Sequence, residues 1–354
     1  MPLLNRASVI LAAGLLAVTV CGRLAGEVGV LVALAQGAAA APKGPYFGMT
    51  PPGSTPVLFA PGVVSTGLSD RDVAISQDGR EFYFGVTFRT IATIMVSRLV
   101  DGGWTPPEVA SFASDAAYYH MEPCLSPDGR RVFFLTNRPR AGEAPKPGWA
   151  HQNIWAADRM ASGTWGEPYD LGAPINVDSG NYFPSMTRDG TLYFIRTKAP
   201  GKDASVYRAR PQGRGFAEPE RLPDTVNAAV IFNAFVAPDE SYLIAGVDGR
   251  DDSTPPKRAN YYVFFRRADL SWTSGTNLGP AINDPLNTVH SPYVSPDGRY
   301  FFFASNAPAE RGRTSLKGLT LRQLTELNSS PRNGNADIYW VDAGAIQALR
   351  ATAK

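Results

Sequence analysis

Five times along the chain the same short phrase returns, and no other feature restricts the fold as much. It reads HSPYVSPDGRYFFFASN at His290–Asn306, EPCLSPDGRRVFFLTN at Glu122–Asn137 and FPSMTRDGTLYFIRT at Phe183–Thr197. The other copies are NAFVAPDESYLIAGV at Asn233–Val247 and DVAISQDGREFYFGV at Asp72–Val86. In each, an apolar strand enters a tight turn around an aspartate and a second apolar strand leaves it. Proline presets its own φ, aspartate bonds nearby backbone and glycine tolerates positive φ, so the phrase encodes a hairpin. The turn aspartates 78, 128, 189, 239 and 297 are spaced by 50, 61, 50 and 58 residues. Self-similarity at this period means a repeat architecture.

Each repeat reads as four strands. Strand a enters the turn. Strand b leaves it without polar alternation, as in Val132–Leu135 or Tyr300–Phe303, which predicts a strand covered on both faces. Strand c follows, for example Asn153–Ala157 and Tyr261–Phe265, and strand d opens on an aromatic residue: Trp104, Trp165, Phe216 or Trp272. Strand d closes on LGAPIN (Leu171–Asn176), LPDTVN (Leu222–Asn227) or LGPAIN (Leu278–Asn283). Radial repetition of a four-stranded unit is a β-propeller. The fold class is therefore all-β, with five blades over residues 45–341, or six if Ala307–Ala336 contains a degenerate one. That segment reads instead as an insertion with a helix at Leu316–Leu327. The last repeat lacks strand d, and LFAPGVVS (Leu58–Ser65) matches the missing piece, so an N-terminal strand is expected to close the ring. Residues 342–354 should form a C-terminal helix capped by Asp342.

The S-P-D-G hairpins, the apolar b strands, DIYW (Asp337–Trp340) and the W…LG.PIN endings resemble TolB-type (WD40-like) β-propeller repeats of exported bacterial proteins. The resemblance runs from about Pro45 to Trp340. It implies a propeller that acts as a binding scaffold, a peptidase accessory domain or, less often, a carbohydrate lyase or hydrolase. Gln77, Arg188 and Glu240 depart from the turn pattern, and Glu240 in place of glycine is expected to distort the fourth hairpin.

The net charge of +2 gives no field suited to nucleic acid or an anionic membrane. Arg6, an apolar run and the small residues Gly37–Ala41 read as a secretory signal over residues 1–41, placing the mature protein in the periplasm or outside the cell. A lipidated Cys21 and an uncleaved N-terminal anchor are the alternatives; after cleavage no stable membrane span is expected. Cys124, on an apolar strand, reads as a small buried hydrophobe.

Loop lengths select a working face. The a–b turns are minimal, whereas the b–c loops 137–152, 248–260 and 305–336 are long. They emerge beside the start of strand a, at the mouth of the central channel. Six to eight positions before each turn aspartate stand Asp70–Asp72, His120–Glu122, Asn181–Phe183, Ile231–Asn233 and Val289–Ser291. The expected binding residues are Asp72, His120, Glu122, Asn181, Asn233 and His290, joined at the strand-b ends by Asn137, Arg138, Arg196 and Asn306. His120, Glu122 and His290, with Asp72, offer imidazole and carboxylate ligands to a divalent metal such as Zn²⁺ or Mn²⁺. Asp72 and Glu122 alternatively form an acid–base pair for a glycoside, and a hydrated polar channel is the third reading. Trp149, in a long loop beside His151, is either a stacking residue or loop packing. The functional expectation is a binding module for a glycan, peptide or envelope protein. The alternative is a glycan-active hydrolase or lyase, possibly metal-dependent.

Overall fold

A computed structural model describes residues 41–353 except 178–179, 199–202, 286–288 and 310–314. The signal segment expected over residues 1–41 lies, apart from Ala41, outside the described residues. Among the described residues no helix is long and apolar enough to cross a membrane.

Five antiparallel four-stranded sheets follow one another around the ring. The first comprises Ser69–Ile75, Glu81–Phe88, Ile91–Val100 and Glu108–Val109, with Gly103–Trp104 extending the c–d turn. The second comprises His120–Leu125, Arg131–Thr136, Asn153–Asp158 and Tyr169–Asp170. Gly180–Met186, Leu192–Thr197, Ser205–Ala209 and Glu220–Arg221 make the third. Val230–Val236, Tyr242–Asp248, Asn260–Phe265 and Thr276–Asn277 make the fourth. The fifth is assembled from both ends of the chain: Tyr293–Val294, Tyr300–Ser305, Asp337–Asp342 and Val57–Leu58. The propeller is therefore five-bladed and closed by an N-terminal strand. That strand is shorter than the sequence suggests: Val57 and Leu58 pair with Trp340 and Tyr339, and the chain then turns at Pro61–Ser65.

The hairpins owe their shape to the aspartate. Ser76, Ser126 and Ser295 each donate a hydroxyl to the turn aspartate two residues on, at 2.6 Å, and the aspartate accepts a backbone N–H beyond it. The fourth hairpin is not distorted. Glu240 takes φ 58°, the left-handed geometry that Gly79 and Gly129 adopt, and the closing bond from Glu240 N to Ala237 O is 2.9 Å. Its carboxylate accepts from Tyr193 Oη and Arg208, contacts a glycine lacks.

The LG.PIN ending has a mechanical purpose. Asn176 Oδ1 accepts from Ile154 N at 3.0 Å while its amide donates to Ile154 O at 2.7 Å. Asn227 clamps Val206 and Asn283 clamps Tyr261 in the same way. In the fifth blade Ser65 replaces the asparagine, bonding both N and O of Ile338 through its hydroxyl. The match of Leu58–Ser65 to the other endings thus extends to this clamp. Asn176→Ala would leave Ile154 N–H buried without an acceptor. It is expected to cost about 1–3 kcal/mol, read as a shift in urea midpoint; an unchanged midpoint would show the clamp to be dispensable.

Strand b is the most deeply covered layer: Phe133, Phe134, Phe194, Ile195, Phe301 and Phe302 are all buried. Trp104, Trp165 and Trp272 are buried wedges, as their repetition predicts. The described residues of the 307–336 insertion form no blade, and its helix runs Leu321–Asn328, capped by a Thr320–Gln323 box. The chain ends in a short helix, Gly344–Ala348, with a 3-10 turn, Leu349–Thr352; Asp342 Oδ1 accepts from Gly344 N at 2.7 Å.

Candidate functional site at the channel

One irregularity repeats in every blade. Six residues before each turn aspartate, the inner strand enters the left-handed region: Asp72, Glu122, Phe183, Asn233 and Ser291 have φ between 48° and 63°. In the first four blades the ladder slips there, between Arg71 and Ala74, Met121 and Cys124, Tyr182 and Ser185, Phe232 and Phe235. These are β-bulges, which re-aim side chains. None of the five residues is β-branched, the type least tolerant of positive φ. Each costs about 1–3 kcal/mol, so something must hold them.

A polar ring across the channel holds them. Ser291 Oγ donates to Asp72 Oδ1. Glu122 N donates to Asp72 Oδ2 at 3.3 Å, and Phe183 N donates to Glu122 Oε2 at 2.8 Å. Asn233 Nδ2 reaches over to Glu122 Oε1 at 3.0 Å. Arg71 Nε bonds Asp72 Oδ1 at 2.9 Å, and its Nη2 lies 3.4 Å from Glu122 Oε1. Groups from all five blades meet in this layer. Glu122 is its hub, taking donors from Arg71, Phe183 and Asn233.

Burial raises the Glu122 pKa above the usual carboxyl range; the Asp72 charge adds to that push and Arg71 opposes it. His290 is pushed down to about 3 by burial and by the Arg71 charge, so its imidazole is neutral. Its Nδ1 stands 3.4 Å from Asn233 Oδ1. The Asn233 amide already donates to Glu122, so its oxygen is the acceptor here. Nδ1 therefore carries the proton and Nε2 is left as an acceptor.

The ring divides the channel into two cavities. On the turn face a cavity of about 350 Å³ is lined mainly by prolines and apolar side chains, including Ile75, Cys124, Met186 and Phe235. On the long-loop face a cavity of about 550 Å³ has aromatic walls, Tyr119, Trp149, Tyr182 and Phe232, and a polar floor, Arg71, Glu122, Asn233 and His290. Tyr119 and Trp149 support one another with ring centres 4.9 Å apart. Gly246 makes room for the Phe232 ring, since a Cβ there would come within 2.5 Å of it.

The sequence-derived residues divide accordingly. Asp72, Glu122 and Asn233 are in the ring and His290 is on the cavity floor. His120 is not with them: its Nε2 meets the Asp115 carbonyl at 3.1 Å and its ring packs on Phe134. Asn181 Oδ1 accepts from Arg196 Nε, and Arg196 Nη2 bonds the carbonyls of Pro174 and Ile175 at 2.8 Å. Asn137 ties Tyr119 N to Gly148 O. Arg138 lies over Trp155 and Tyr118. Half-buried Asn306 lines neither cavity. His120, Asn181, Arg196, Asn137 and Arg138 are thus loop and corner supports. The expected metal triad of His120, Glu122 and His290 is not brought together, and among the described residues no group of three or more His, Cys, Asp or Glu is arranged to hold a metal. Arg71, Ser291 and the wall aromatics Tyr119, Tyr182 and Phe232 are site residues that the sequence reading passed over. An arginine beside two carboxylates on the innermost strands was the available signal, because such acids require a cation once buried.

No known family model matches this chain, and no curated protein matches it. Solved structures of similar shape include TolB from Acinetobacter baumannii, at 16% identity and a TM-score of 0.45, over 77% of this chain and 57% of that one. The chain thus spans less than two thirds of that TolB. The putative TolB from Agrobacterium tumefaciens is 15% identical with a TM-score of 0.43, over 77% and 90% of the two chains. The periplasmic gluconolactonase PpgL of Pseudomonas aeruginosa is 14% identical with a TM-score of 0.39, over 66% and 64%. The class, a five-bladed β-propeller with a polar ring across its channel, rests on the blade topology alone.

Proposed function

We propose that this protein is a binding module whose ligand enters the long-loop cavity, and that the ligand is a glycan. The observation that carries the reading is the pairing of aromatic walls with a floor of fixed planar polar groups. Sugar rings present apolar faces suited to Trp149, Tyr119, Tyr182 and Phe232, and hydroxyls suited to paired donors and acceptors. Arg71 and Asn233 are held by the ring, so little side-chain entropy is lost on binding. His290 Nε2 accepts a ligand hydroxyl. The small-residue run after the N-terminal apolar segment supports a place of action outside the cytoplasm.

Glycan-array screening followed by titration calorimetry of the retained oligosaccharide tests the proposal. Trp149→Ala and His290→Ala are each expected to weaken binding about tenfold, equivalent to about 1.4 kcal/mol. Retention of peptides but no glycan, or wild-type affinity in both variants, would overturn it. A second reading, hydrolase or lyase, is favoured by one feature: Glu122 lines the cavity with a raised pKa, as a general acid requires. Its three donors argue for a structural hub instead. New reducing ends or unsaturated sugars appearing in the retained glycan would place the protein among the enzymes.

A further inference from the structure

Away from the channel, two carboxylates are buried where the chain ends meet. Asp70 is 0% exposed on the first inner strand, and Asp337 is 1% exposed at the start of the last blade's strand c. The backbone brings them side by side, because Asp70 N donates to the carbonyl of Ala336, the neighbour of Asp337. Each has one satisfied oxygen. Asp70 Oδ2 accepts from Thr66 N at 2.6 Å and Thr66 Oγ1 at 2.9 Å; Asp337 Oδ2 accepts from Arg332 N at 2.6 Å. Each has a second oxygen, Oδ1, buried with no hydrogen-bond partner. Such an oxygen costs its full desolvation, and two neighbouring carboxylates add mutual repulsion. Burial moves Asp70 up to about 7, with the Asp337 charge adding to it, and Asp337 up to about 6. Among the described residues the guanidinium that acts on Asp337 is that of Arg332, which is exposed and screened by solvent.

We propose that Asp70 and Asp337 bind a calcium ion through their partnerless oxygens. The neighbouring groups are hard oxygen donors. Thr66 Oγ1 adjoins Asp70, and Ser305 stands directly across the ladder from Asp337, so its side chain shares that face. Two carboxylates and neutral oxygens in an irregular array suit Ca²⁺, which tolerates variable geometry, better than Mg²⁺, which requires a regular octahedron. The ion would join the d–a connection at Thr66–Asp70 to the end of the 307–336 insertion, fastening ring closure to a long loop on the ligand face. In the second, third and fourth blades this place is taken by uncharged residues: Asn153, Ser205 and Asn260 begin their c strands.

The test uses the full chain after chelation and desalting. Adding CaCl2 to about a hundred times its dissociation constant is expected to raise the melting temperature by about 5 °C. Equilibrium dialysis with radioactive calcium should find one ion per chain. Asp70→Asn and Asp337→Asn should each lose both responses, while Trp149→Ala keeps them. Unchanged calcium binding in both aspartate variants would overturn the location. Absence of calcium binding in the wild type, with Asp70→Asn melting higher than it, would overturn the ion and show that a proton neutralises the pair.

Discussion

Deletion of Val57–Ser65 is expected to turn a closed ring into an aggregating one. The segment supplies the outer strand of the fifth blade, so its loss exposes the ladder edge of Asp337–Asp342, an open template for another chain. It also supplies Phe59, fully buried between the first and last blades, with ring centres 5.1 Å from Phe82, Phe302 and Trp340. Ser65, which clamps Ile338, is lost as well. Phe59→Ala isolates the packing part: truncating a phenylalanine in such a core costs about 3–5 kcal/mol. Denaturant midpoints and light scattering during heating distinguish the two variants. The point variant should unfold earlier without scattering at room temperature, and the deletion should scatter. A deletion that melts like the intact protein would show that the fifth blade is complete without it.

The second large effect belongs to Arg71. Arg71→Met preserves much of the side chain's length and removes the cation that faces Asp72 and Glu122 across the channel. Breaking a buried ion pair from one side costs about 3–5 kcal/mol, because the remaining charges stay desolvated. The pH dependence follows from the sign of the Glu122 shift. Its pKa is higher in the folded chain than the ordinary value of 4.5. The associated stabilisation is therefore complete below that ordinary value and is lost as pH rises through the folded one. Removing Arg71 takes away an interaction that lowers the folded value. The deficit of Arg71→Met should accordingly grow from pH 5 toward pH 9. Urea midpoints at the two ends of that range measure it, and a deficit equal at both would mean that Arg71 does not hold the Glu122 charge.

The amino-acid sequence determined the architecture by itself. The turn chemistry around Asp78, Asp128, Asp189, Asp239 and Asp297 is local, and the apolar b strands state their own burial, so blade number and ring closure could be read without long-range information. Chemistry at the channel was different. In a regular strand, residues six and eight before the turn would share a face, grouping His120 with Glu122 and Asn181 with Phe183. The left-handed bulge at Asp72, Glu122, Phe183, Asn233 and Ser291 breaks that alternation. It leaves Arg71 and His290 on the cavity floor and sets His120 and Asn181 among loop carbonyls and the Arg196 side chain. Nothing local marks the bulge, because its strain is offset by bonds from other blades, such as Phe183 N to Glu122 and Ser291 to Asp72. The asparagines of the LG.PIN endings were equally plain as a repeat and equally silent as clamps, since their partners lie a strand away. Repeated local chemistry is written in the chain; the direction in which an inner side chain points was decided only when five blades closed around one axis.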